Sequence, residues 1–75
     1  MARIETIEEK DAQRTSRHGK VDATFHVFEE GGEIFLQIDT YGSSGREITG
    51  KVSQSIQLGR VAREQIKAIL EGIQD

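Results

Sequence analysis

The side chains that could do chemistry in this sequence are few, and their spacing favours binding over catalysis. Serine, histidine and aspartate all occur, but no serine stands in the strained strand-to-helix turn that exposes a nucleophile. No two carboxylates have the helix or strand spacing that would set up acid–base work in a cleft. Cysteine is absent, which excludes disulfides and thiolate metal sites. Two histidines, His18 and His26, are too few for a structural zinc site and are expected as a surface and a sheet-face residue. The expectation is a protein that is not an enzyme and carries no cofactor or metal.

Binding chemistry has better candidates. Gly42-Ser43-Ser44-Gly45 is followed by Arg46. Successive backbone N–H groups in a glycine-rich turn form a nest for anions, and an arginine beside it adds bidentate phosphate contacts. Lys51, Ser53 and Gln54 follow closely. From Ser43 to Lys67 there are five basic residues (Arg46, Lys51, Arg60, Arg63, Lys67) against two acids, Glu47 and Glu64. A second basic cluster, Arg14, Arg17, His18 and Lys20, opens the first strand. A net charge of −3 excludes a uniformly basic nucleic-acid binder but leaves room for a basic stripe.

The elements that must position these groups follow from periodicity. Val21, Ala23, Phe25 and Val27 alternate with polar residues, which predicts a strand. Gly31-Gly32 suits a primed hairpin turn, whose two central residues need positive φ. The next strand is Glu33 to Tyr41. That turn sets Glu30 opposite Glu33, Phe28 opposite Phe35, Val27 opposite Leu36 and Phe25 opposite Ile38, so the apolar rows share one face. A third strand is expected from about Glu47 to Leu58, with Ile48, Val52, Ile56 and Leu58 on the apolar side and a bulge near Gly50. For its even positions to meet those of the second strand, the connection must be odd in length (Gly42–Arg46) or a bulge must intervene. Gly59 ends the strand. Ala62, Ile66, Ile69 and Ile73 then give a helical stripe from Arg60 to the stop at Gly72, with Glu64 and Lys67 spaced to pair.

The predicted fold is α+β: a three-stranded antiparallel β-meander, β-β-β-α, with one C-terminal helix packed on one sheet face. Residues 1–16, seven of them charged, are expected as an N-terminal arm, either a frayed helix or an edge strand added on assembly, before a single domain over 17–75. The face away from the helix would hold His26, Phe28, Phe35, Gln37, Asp39 and Tyr41, then Lys51, Ser53, Ser55 and Gln57. The pair Phe28/Phe35 on that face serves either as an oligomer interface or as a platform on which bases stack.

Composition sharpens the choice. Seventy-five residues, 35% of them hydrophobic, make a thin core without disulfide or metal, so a homo-oligomer is expected. No apolar run suggests a membrane span, and MARIETIEEK is not a signal peptide, so a cytoplasmic location is expected.

The second and third strands resemble the single-stranded-DNA-binding transcriptional coactivators (positive cofactor four, whirly-like sheets). The residues that carry this are Phe35, Gln37 and Ile38, then Arg46-Glu47-Ile48-Thr49-Gly50-Lys51-Val52, then Ile56-Gln57-Leu58 leading into a helix with Gln65 and Ile66. The resemblance covers about 40 residues. It implies a dimer of curved sheets with the helix at the interface and single strands bound across the sheet. The stretch Tyr41-Gly42-Ser43 to Lys51 and Ser53-Gln54-Ser55-Ile56-Gln57 also resembles short bacterial and phage proteins labelled methionyl-tRNA formyltransferase-like. Seventy-five residues are too few for a formyl-transfer domain, so only the polar motif positions Tyr41, Arg46, Lys51, Ser53 and Gln54 carry over.

The leading expectation is a non-enzymatic module for single-stranded nucleic acid, acting as a dimer or higher oligomer. Tyr41, Phe28 and Phe35 would stack bases, and Arg46, Lys51, Arg14, Arg17 and Lys20 would hold phosphates, with Gly42, Ser43, Ser53 and Gln54 in the same site. One alternative is an oligomeric binder that sequesters a small nucleotide-type ligand in a phage or defence setting. Another is an accessory subunit whose sheet face docks a second protein.

Overall fold

The computed structural model describes residues 1–42 and 51–75. Four strands and one helix follow in chain order: β1 Ala2–Ile4, β2 Ala23–Glu30, β3 Glu33–Tyr41, β4 Val52–Leu58 and α1 Arg60–Gly72. They form one α+β unit with a single mixed sheet of order β1-β4-β3-β2.

The hairpin β2–β3 has the register that its alternation dictates. Phe28 lies opposite Phe35, Val27 opposite Leu36 and Phe25 opposite Ile38. Gly31 (φ 63°) and Gly32 (φ 81°) take the positive φ of a primed turn, where a side chain would be strained. β4 runs antiparallel to β3 and sets Leu58 against Leu36 and Ile56 against Ile38, so the even positions do meet.

Two expectations are corrected, the number of strands and the side on which Val52 lies. The sheet has four strands rather than three, because Ala2–Ile4 pairs parallel with β4, Ala2 opposite Ile56 and Ile4 opposite Leu58. This edge strand belongs to the same chain's sheet and needs no assembly to form. Three residues set among charges carry no periodicity, which is why the pattern does not announce them. β4 is described over Val52–Leu58. The predicted start at Glu47 and the bulge near Gly50 fall outside the described residues. A bulge of the kind that parity allowed lies between Thr40 and Tyr41, where Tyr41 pairs with Val52 while Thr40 pairs with Gln54. The unpaired Ser53 turns its hydroxyl to Thr40 Oγ1 at 3.1 Å. The extra residue carries Val52 across to the polar face, beside Asp39 and Ser55.

The helix has the predicted bounds, and it meets β3 and β4. Its first turn has no acid of its own and no side-chain cap from Gly59. Glu33, on the neighbouring hairpin, supplies the missing acceptor: its Oε2 takes the Arg60 backbone N–H at 3.3 Å, where a negative charge suits the helix N-terminus. Continuing the β3–β4 register sets Gly59 across from Phe35. A Cβ there would come within 2.8 Å of the Glu33 carboxylate. Gly59→Ala is therefore expected to push Glu33 aside and cost about 1 kcal/mol, the usual worth of an N-terminal cap, as read from urea unfolding. At the other side of the helix, Gln65 clamps the backbone of Ile7. Its Oε1 accepts the Ile7 N–H at 2.8 Å and its Nε2 donates to the Ile7 carbonyl at 3.1 Å. Glu64 is engaged by Arg60 one turn earlier, at 3.7 Å.

Burial departs from the simple picture of a helix over an apolar face. Leu58 is 2% exposed and Ala62 0%, which marks the small core where β4 turns into α1. On β2 the apolar row stays open, with Phe25 71% exposed and Val27 60%. The cause lies in the placement of the helix, which leaves β4 directly and packs against β3 and β4, whereas β2 is the far edge strand.

Candidate functional site

The sheet has two unlike faces. One carries Phe25, Val27, Ile34, Leu36, Ile38, Ile56 and Leu58. The other carries a row of hydrogen-bonding side chains, one from each strand: His26, Gln37, Gln57 and Arg3, adjacent by register. A second row beside it holds Thr24, Asp39 and Ser55. An open hollow of about 380 Å³ lies on this face, lined by Arg3, Gln37, Asp39, Val52, Ser55 and Gln57 together with Met1 and Ala2. That volume is within the range of small-ligand sites, roughly 300–1,000 Å³.

The rows are bonded to one another. Gln57 Nε2 donates to Gln37 Oε1 at 2.9 Å, and Gln37 Nε2 donates to Asp39 Oδ1 at 2.9 Å. The bond from Gln37, then that from Ser55, hold the Asp39 carboxyl below the usual carboxylate range; partial burial opposes this and the nearby His26 assists it. A group whose folded-state pKa is depressed stabilises the fold above its unfolded value and loses that contribution as pH falls through the folded one. Asp39→Asn is therefore expected to lower the melting temperature at neutral pH. The gap from the parent should close on acidification below the ordinary carboxylate range, as a series of thermal melts across pH will show.

Aromatic side chains border the rows. Phe28 and Phe35 stack with centroids 5.3 Å apart, and His26 lies 5.8 Å from Phe28. Phe35 is only 6% exposed, packed against Phe28 and the start of the helix. Of the expected stacking residues, the half-buried Phe28 offers a face and Phe35 does not. Tyr41 is buried as well, and its hydroxyl shares a hydrogen bond with Thr24 Oγ1 at 3.0 Å. Its ring is thus a structural member of the polar face rather than a platform. The expected interface pair Phe28/Phe35 also gives way in exposure to the opposite face, where Phe25 and Val27 lie open.

The expected phosphate contacts are spread out. Ser43 and Arg46 lie outside the described residues, and Gly42 is the last described residue before them. Lys51 is exposed beside the start of β4. Ser53 sits in the bulge and Gln54 is exposed opposite Thr40. Arg17 and Lys20 are exposed in the irregular segment before β2. Residues that sequence reasoning placed on the face but not in the site, Gln37, Asp39 and Gln57, are the ones the structure joins; Arg3 it missed. The signal for the two glutamines was available in the register, which sets them side by side. Nothing signalled Arg3, because an edge strand was one of two alternatives for residues 1–16 and periodicity assigned it neither bounds nor a partner.

Among the described residues no group of three or more His, Cys, Asp or Glu is placed to hold a metal ion. No helix among them is long and apolar enough to cross a membrane.

No protein-family model matches the chain. No solved structure matches it either. Among curated proteins it is similar to a nonribosomal peptide synthetase, kk1B, of Curvularia clavata, at 36% identity over 67 residues. The match covers 79% of this chain and, to the nearest per cent, 0% of the synthetase. The chain thus spans a minute part of that protein's length.

Proposed function

We propose that this protein is a non-enzymatic module that binds single-stranded nucleic acid across its polar sheet face and pairs with a second copy through its apolar face. The observation that carries this is the division of one sheet into two unlike surfaces. The polar face combines amide, carboxylate and guanidinium groups with the exposed side of Phe28, the mixture that holds unpaired bases by edge and by stacking. The apolar face, with Phe25, Val27 and Ile34 open, is a surface that soluble proteins seldom leave bare.

A second copy suits that face for two reasons. The helix also exposes Ile69, Leu70 and Ile73, so each chain has an open apolar sheet and an open apolar helix end. A two-fold pairing lets each copy's helix cover the other's sheet, as a self-complementary interface requires. Together these side chains expose several hundred Å² per copy, the scale of the ~800 Å² each partner gives to a stable interface.

Binding of a fluorescent oligonucleotide across a salt series tests the nucleic-acid half. About three phosphate contacts imply an affinity that falls roughly tenfold or more between ~50 and ~200 mM salt. Absence of binding at the low-salt end, or indifference to salt, would sink it. A single nucleotide-type ligand is the second reading, favoured by the size of the hollow; competition by mononucleotides at concentrations near those of the oligonucleotide would select it. An accessory or docking role has one observation behind it, that the similar stretch of the synthetase stands within a far longer chain.

A further inference from the structure

The N-terminal arm is seated on the body as a peptide ligand would be. Ala2–Ile4 pairs with β4 through the main chain, and the Ile4 carbonyl takes the Gly59 N–H at 3.5 Å. Gln65 then clasps the main chain of Ile7, accepting its N–H and donating to its carbonyl. These contacts hold an extended backbone, and side chains add little to them. Residues 1–22 are exposed except for Ile4 and Ile7, which are half-buried. Beside the clasp an open hollow of about 650 Å³ lies between Ile7, Glu8 and Glu9 on one side and Ala68, Ile69 and Ile73 on the other. The connection back to the sheet has slack. Residues 8–22 lie outside every strand and helix and are exposed throughout. β1 and β2 stand at opposite edges of the sheet, three strand spacings or roughly 14 Å apart. Extended, the chain between Ile7 and Ala23 spans about 50 Å.

We infer that the edge of β4, with Gln65 beyond it, is an extended-peptide site with an exchangeable occupant, and that in a pair of copies it takes the segment Ala2–Ile7 of the second copy in exchange for its own. The second copy suits the site because its arm brings the same backbone, the same Ile4 and Ile7, and the same N–H and carbonyl to Gln65. No contact is lost in the exchange, which makes swapping an identical element a low-cost link between copies. A chain's own arm has the advantage of its tether over a free molecule in solution. Pairing removes that advantage, since the second arm is then also held close by, at an effective concentration on the order of millimolar. The slack in residues 8–22 supplies the reach. The inference rests on the self-association half of the proposal above and adds to it the element that the copies share.

The absence of cysteine from the sequence makes cross-linking a clean test. Arg3 and Gln57 are cross-strand partners on the polar face, away from the apolar pairing surface, and neighbouring strands bring such positions within disulfide reach. Full-length copies carrying Arg3→Cys are mixed with equal amounts of isotope-labelled copies carrying Gln57→Cys, oxidised mildly and weighed by mass spectrometry. The unlike pair is expected to exceed each like pair by about tenfold, because an exchanged arm holds the two thiols together far above their bulk concentration. Gln65→Leu in the labelled copy, which removes both bonds to Ile7, should bring the products back toward random proportions. A second pair, Ala2→Cys with Ile56→Cys, repeats the measurement at the neighbouring rung, so that the geometry of one position does not decide it. Random proportions from both pairs overturn the inference. Sedimentation of the parent keeps the two readings apart. A monomeric parent with random cross-links overturns the apolar pairing and the exchange together; a dimeric parent with random cross-links overturns the exchange alone.

Discussion

Leu58→Ala is expected to leave the domain largely unfolded at room temperature. Leu58 is the largest side chain that the described residues bury completely, at 2% exposure, and it sits where β4, β1 and β3 converge and the helix begins. Removing a buried leucine side chain costs about 2–5 kcal/mol, depending on how far the surroundings collapse. A single core of this size supplies only about 3–5 kcal/mol of net stability. The two quantities are of the same order, and the surroundings of Leu58 have few other fully buried side chains with which to compensate. Far-UV circular dichroism during urea unfolding measures the effect. Leu58→Met, which keeps the volume, should stay within about 1.5 kcal/mol of the parent. An alanine variant that melts within a few degrees of the parent would show that Leu58 is not the keystone that its burial indicates.

Phe25→Asp is expected to convert a self-associated species to monomer while leaving the fold of each chain in place. Phe25 is 71% exposed in the single chain, so a charge there costs the isolated fold little. In a pairing through the apolar face the same charge would be buried without a partner, opposite apolar groups. Loss of a central aromatic anchor commonly weakens an interface by 2 kcal/mol or more, about thirtyfold in the dissociation constant. Sedimentation equilibrium at a few micromolar should show the parent at twice the chain mass and Phe25→Asp at the chain mass. Val27→Asp should act in the same direction. Phe28→Ser, on the other face, should leave the mass unchanged. A parent that sediments as a monomer would remove the self-association half of the proposal and leave the apolar face for a different protein.

The hairpin was legible in the sequence because its signals were redundant. Alternation in Ala23–Glu30 and Glu33–Tyr41, together with a glycine pair that alone suits positive φ, permits only one register that puts both apolar rows on one side. The helix was legible for the same reason, with its apolar period and its flanking glycines in agreement. β1 was not, since strand identity there comes from pairing with Ile56, Gln57 and Leu58 rather than from its own three residues. Parity required an odd-length connection or a bulge without choosing between them: any odd shift between Tyr41 and Ile56 satisfies the pattern, and the one observed is at Ser53. Exposure was the least legible property. Periodicity says which residues share a face. How much of that face a helix covers depends on where the helix leaves the sheet, and α1 leaves it two strands away from β2.

The candidate site divides along the same line. Gln37, Asp39 and Gln57 were correctly placed on one face by alternation, but their bonding to one another depends on side-chain reach between neighbouring strands. Tyr41 looked like a platform by residue type, and its hydrogen bond to Thr24 shows it used as part of the sheet's own structure.

The parallel pairing of β1 with β4 also fixes an order of events. Ala2 meets Ile56, and Ile7 is held by Gln65. Neither partner exists until β2 and β3, which lie between, have been made. Closing so long a loop is also slow compared with forming the β2–β3 hairpin, which needs only two turn residues. Residues Ala2–Ile4 are thus made before the strand they pair with and find their place after the hairpin that follows them. Until they do, β4 is an uncovered strand edge beside an open apolar face, and a nascent chain is more adhesive than the finished one.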